Sequence, residues 1–221
     1  RTGVEVVVIV AASRMRHPLD ARTLARLAAR YAGDGPGEVV GFGLSNDERM
    51  GQTSAFSAAF GIARRAGLAA LPHGGELLGP ESVREVVTSL NPHRLGHGVR
   101  TSEDLELLDR LIEAGIAFEV CPTSNVHLGV YQDFGSVPLP LLMGRGATIA
   151  LGADDPLLFH SRLLEQYANA REVFALSDPQ LADLARQSIA ASLASHSSKR
   201  RWYARIEEWV SSEAPGAGST A

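Results

Sequence analysis

The chain is poor in cysteine, lysine and long apolar runs, and each shortage excludes something. Cys121 is the sole cysteine among 221 residues, which excludes an internal disulfide framework and fits a reducing, cytoplasmic setting. No apolar run approaches the ~20 residues a helical membrane span needs, and no signal-peptide pattern opens the sequence, so no membrane partner is expected. Lys199 is the only lysine, the arginines are scattered, and the net charge is −4. That argues against nucleic-acid or anionic-membrane binding, which needs clustered positive charge. A Gly-rich phosphate-binding turn is also missing after the first apolar run, where Ala12-Ser13-Arg14-Met15 stands, so an open doubly wound sheet is disfavoured. Without internal repeats or a linker, residues 1–211 read as one domain and residues 212–221, small and polar, as a disordered tail.

What is present is a repeated alternation of strand and helix. Near-continuous apolar runs predict six strands: Val4–Ala12, Glu38–Leu44, Gly67–Leu71 leading into His73, Arg94–Leu95, Ile116–Val120 and Ala147–Leu151. Helical spacing and caps predict helices over Leu19–Tyr31, with Leu24, Leu27 and Ala28 on one face, and over Thr53–Arg65, Pro80–Leu90, Ser102–Ala114 and Leu139–Met143. Three closing helices follow: Leu157–Ala175, Asp178–Ala194 and Ser198–Val210. Such alternation predicts a parallel sheet covered by helices, and polar residues after nearly every strand favour a β/α barrel with its site at the strand ends.

Three polar clusters end apolar runs: His73-Gly74-Gly75-Glu76, Gly96-His97-Gly98 and Asp154-Asp155-Pro156. Neutral imidazole and carboxylate are the common ligands of a catalytic divalent metal, and a further His and Glu provide proton transfer beside it. Taken singly, each cluster has a plainer reading. His73 and Glu76 also suit a polar turn, His97 a loop histidine, and Asp155 a helix cap before Pro156. Paired acids at a buried strand end are costly without a compensating cation or donors, which points Asp154 toward a metal. Cys121, before Pro122, reads as a structural thiol rather than a nucleophile.

The segments PHGGEL (Pro72–Leu77), RLGHGV (Arg94–Val99), EVCPTSN (Glu119–Asn125) and ALGADDP (Ala150–Pro156), with a weaker GLSNDE (Gly43–Glu48), together resemble the adenosine deaminase family of the amidohydrolase superfamily. The resemblance implies a TIM-type (β/α)8 barrel, one Zn2+ and hydrolytic removal of a purine 6-amino group. It makes His73 and Asp154 zinc ligands and Glu76 the proton donor to purine N1. It makes His97 the group that orients and deprotonates water, and Asp155 the partner of N7. The GLSNDE loop would approach the opposite purine edge through Asn46, where many members have glycine.

The family also carries two zinc ligands in a His-x-His pair on its first strand, and none occurs in this sequence. The expectation is therefore an incomplete barrel of about six of eight β/α units, with the first two strands absent and Arg1 opening near the third. The expected substrate is a small purine nucleoside of the adenosine type, with adenine or aminodeoxyfutalosine as alternatives. A nucleotide is less favoured, because no Arg/Lys cluster adjoins the motifs to hold a phosphate. Two other classes stay open: a catalytically inactive truncated barrel, and a different metal-dependent amidohydrolase cutting an amide or ester.

Overall fold

The computed structural model describes residues 5–212. The apolar runs become six short strands, β1 (Val8–Ser13), β2 (Val39–Ser45), β3 (Ala69–Gly74), β4 (Arg94–His97), β5 (Ala117–Val120) and β6 (Ile149–Leu151). Every strand pairs in parallel with its neighbour in sequence, so the sheet order is β1-β2-β3-β4-β5-β6. A doubly wound sheet reverses its order at a switch point, and this one does not; monotonic order is that of a barrel wall. Between the strands run α1 (Pro18–Arg30), α2 (Ser57–Arg65), α3 (Pro80–Leu90), α4 (Leu105–Glu113), α5 (Pro122–His127) and α6 (Leu139–Gly144). The helices α7 (Leu163–Phe174), α8 (Asp178–Ala191) and α9 (His196–Ser211) follow β6.

The core lies between sheet and helices. On β2, Phe42 and Leu44 are fully buried; Phe42 meets Phe60 of α2 edge-to-face at 5.2 Å between ring centroids. Pairs of this geometry add to the gain from burying both rings. On α1 the buried residues are Ala21, Ala25 and Ala28, whereas Leu27, expected on the inner face, is 48% exposed. A stripe of alanines lets α1 approach its neighbours closely, which a leucine stripe would prevent.

Local competition moves some expected boundaries. The helix expected from Ser102 instead starts at Leu105, because the Asp104 carboxylate accepts a 3.0 Å bond from Leu107 N and acts as cap. Ser102 Oγ turns back to Val99 O, in a 3-10 turn over Val99–Glu103. Thr53–Phe56 is likewise a 3-10 turn ahead of α2. The helix expected from Leu157 begins at Leu163: Asp155 Oδ1 accepts from both Leu157 N and Leu158 N, closing a turn that does not propagate. Pro122 opens α5, a helix not among those expected from sequence. Residues 213–221 of the expected tail lie outside the described residues. Among the described residues, no helix is long and apolar enough to cross a membrane.

Among the described residues β1 and β6 are the free edges of the sheet, and β1 is markedly apolar there: Val8 is 39% and Ile9 44% exposed. An unpaired, flat, apolar edge is a template for intermolecular pairing. The 221-residue chain by itself is therefore expected to self-associate. Light scattering on the purified polypeptide checks this, and a monodisperse monomer at micromolar concentration would contradict it.

Candidate active site

The site is assembled at the carboxyl ends of β3, β4 and β6 and in the loop after β2. Parallel pairing sets His73 beside Gly96 and Gly74 beside His97, so the two imidazoles stand at adjacent strand ends. Their rings meet edge-to-face at 4.9 Å between centroids. This proximity requires a glycine: a Cβ on Gly96 would lie 2.3 Å from His73 Cδ2. Beyond β3 the chain turns at Gly75 (φ +72°), locked to the next loop by Arg100 N donating to Gly75 O at 2.9 Å. The turn brings Glu76 Oε1 to 3.3 Å from His97 Nε2. His73, Glu76 and His97 each present one ligand atom within 4.8 Å of the others.

Burial sets the charge states. His97 is 3% exposed, and desolvation, with the His73 imidazole second, pulls its pKa down to about 3. His73 is lowered as well, chiefly by burial. Both rings are neutral near pH 7, the form that binds metal or accepts a proton. Glu76 moves the other way: burial, then the charges of Asp154, Glu48 and Asp47, raise it to about 7. A carboxyl so placed can be protonated at neutral pH and donate.

Asp154 and Asp155 follow β6 but are exposed, contrary to the buried strand end expected from sequence. They sit past Leu151 on an open cavity, where solvent reaches them, so the burial cost invoked above does not arise. Asp154 is nonetheless oriented: its Oδ2 accepts a 2.6 Å bond from Ser124 Oγ, and Ser124 is buried. Asn46, exposed on the loop after β2, faces the same cavity of about 390 Å³ as His73, Glu76, His97, Asp154 and Asp155. Leu77, Leu128, Leu158 and Phe159 form its apolar lining. Asn46, His97 and Asp154 all have positive φ (71°, 65° and 58°), a backbone state uncommon outside glycine that gathers where geometry serves function.

Sequence reading missed four residues at this site. Ser124 and Asn125 lie inside a segment quoted for its resemblance, yet carried no role; Asn125 Nδ2 faces His97 Nδ1 at 3.5 Å. Arg14, 2% exposed at the end of β1, donates from Nη2 to His73 O at 2.8 Å. Glu48, 3% exposed, accepts from the backbone around Glu76. The signal for Arg14 was a charged residue just past an apolar run; Glu48 closes the GLSNDE segment, where it carried no role.

Comparison with known proteins gives the family of the chain. The family model for adenosine deaminase matches residues 1–209. The chain belongs to the adenosine deaminase family. A protein of Streptomyces coelicolor, provisionally named adenosine/adenine deaminase, is 55% identical over 209 residues, covering 95% of this chain and 60% of its own length. An adenine deaminase of Agrobacterium fabrum is 38% identical over 206 residues, 93% of this chain and 62% of its own. The crystal structure of adenine deaminase from Arthrobacter aurescens superposes with a TM-score of 0.87 at 30% identity, over 94% of this chain and 62% of that one. The chain thus spans about three fifths of the length of these family members, and its six-stranded sheet is an incomplete TIM-type barrel.

Proposed function

We propose that the chain carries part of the active site of a zinc-dependent 6-aminopurine deaminase. The reaction consumes water, replaces the C6 amino group by an oxo group and releases ammonia. The observation that carries this reading is the juxtaposition of neutral His97 with a protonatable Glu76, 3.3 Å apart and both buried beside His73. The names of the relatives favour adenine over the nucleoside expected from sequence, so adenine is the proposed substrate and adenosine the alternative.

The residues fit a divalent metal. Glu76 Oε1 is buried and has no hydrogen-bond partner among the described residues, and the donors around it are imidazole and carboxylate. His73 and Asp154 would hold the ion, with Ser124 fixing the Asp154 carboxylate and leaving Oδ1 for coordination. When bound, zinc supplies Lewis acidity toward a water molecule. His97 would take a proton from the attacking water and return it to the departing amino group, which leaves as ammonia. Glu76 would give its proton to the ring nitrogen beside the reacting carbon and recover one from the C6 hydroxyl as the oxo group forms. Asp155 Oδ1 is committed to the Leu157 and Leu158 amides, so Oδ2 is left for the N7 edge of the purine. Asn46 faces the opposite edge, and the apolar lining receives the ring faces.

A protein of the relatives' full length that carries this segment is expected, loaded with zinc, to release ammonia from adenine. A chelator should stop the reaction and added zinc restore it. No ammonia from either adenine or adenosine would overturn the reading.

A further inference from the structure

Glu48 stands out because its carboxylate is buried among neutral donors that all belong to another part of the chain. Oε1 accepts from Gly75 N at 2.7 Å and Ser82 Oγ at 2.6 Å. Oε2 accepts from Glu76 N, Leu77 N and Leu78 N at 3.0, 2.9 and 3.0 Å. Four successive amides thus close on one anion, an arrangement in which oriented backbone dipoles offset the loss of water. Without it, the amides of buried Gly75 and Glu76 would have no acceptor. From the other side, Arg14 fixes the carbonyl of His73 at 2.8 Å. The segment carrying both His73 and Glu76 is therefore held by one buried charge at its start and another along its length.

Glu76 itself makes this tether matter. Its Oε1 makes no hydrogen bond among the described residues and has only the His97 imidazole beside it, with Nε2 at 3.3 Å. Its direction is set by the backbone that bears it, and Glu48 holds that backbone by the Glu76 amide itself. We infer that Glu48 is a positioning residue for proton transfer, its carboxylate serving as an internal anion around which the Gly75–Leu78 turn is wrapped so that Glu76 points into the cavity. This rests on the deaminase reading for its catalytic consequence, but not for the tether.

Glu48→Gln keeps the shape and one acceptor while turning an amide N–H toward the donors of Glu76, Leu77 and Leu78. In the zinc-loaded, full-length protein, hydrogen exchange at the amides of Gly75–Leu78 should accelerate while β2 amides stay protected. A loosened turn displaces Glu76 by a fraction of its own size, and misplacement of about 1 Å costs roughly 10²-fold in kcat. KM for adenine and zinc content should stay within about threefold of the parent, separating mispositioning from lost binding. Should the Gln variant not fold, Glu48→Asp decides, since its charge is kept but its reach is one methylene short; the same exchange pattern and a smaller kcat loss are expected. Unchanged exchange at 75–78, unchanged kcat, or kcat lost only in step with zinc and fold would overturn the inference. If the parent protein turns over neither adenine nor adenosine, the deaminase reading fails, and the exchange measurement still decides whether Glu48 holds the turn.

Discussion

Glu76→Gln is expected to lower kcat by at least about 10²-fold, the usual scale of a lost general acid, with zinc and purine binding retained. Glutamine fills the same volume, so the fold and the 3.3 Å approach to His97 stay available. What disappears is the transferable proton. The pH dependence carries a definite sign. The donating form of Glu76 is the protonated one, and burial with neighbouring negative charge holds its pKa near about 7. Activity in the parent should therefore fall as pH rises through that region. A bound cation lowers the value, so in the loaded enzyme this limb lies at or below about pH 7. The Gln variant should show a low rate without that limb. A stability counterpart follows in metal-free protein. The folded pKa lies above the ordinary 4.5, so the contribution is full below pH 4.5 and is lost as pH rises through about 7. An unchanged kcat in Glu76→Gln would remove this residue from proton transfer.

Loss of the metal should be still more damaging, and four substitutions approach it by three routes. His73→Ala and Asp154→Ala each delete a proposed ligand and should abolish tight zinc binding, with activity falling to background. Gly96→Ala deletes nothing, yet its Cβ would lie 2.3 Å from His73 Cδ2, and the ring must swing away. It should reproduce the His73→Ala loss in a folded protein. Ser124→Ala removes the 2.6 Å bond that orients Asp154, and such supporting partners are worth about 10–100-fold in metal affinity. Metal analysis after dialysis, with circular dichroism as the check on folding, separates these cases. Stoichiometric zinc in either ligand variant would show that the ion is held elsewhere.

How much of this was legible depended on how far apart the partners lie. The strand ends bearing His73, His97 and Asp154 were visible because an apolar run followed by a polar cluster is a local pattern. Helix α3 was legible to the residue, since Pro80 starts it and Asn91, in the left-handed conformation, ends it. The start of α4 was not, because Ser102 and Asp104 are both capable caps and only the folded chain shows Asp104 in place. The exposure of Asp154 and Asp155 was misread because burial after a strand end depends on what stands across the cavity. The role of Glu48, though it closes the quoted GLSNDE segment, was not legible: its donors lie 27 to 34 residues away, and no periodicity announces a tether of that kind.

The backbone at Asn46 bears on how such a cavity diversifies. Its φ of +71° is one that glycine adopts freely and asparagine tolerates better than most residues. Glycine and asparagine are therefore interchangeable there as far as the path of the chain is concerned. What differs is the carboxamide, which adds bulk, two donors and an acceptor at the mouth of the cavity. On the proposed deaminase reading, position 46 is a place where the reach of the pocket toward its ligand can drift by single mutations with no refolding of the loop, and where two enzymes of one shape can part company in what they accept.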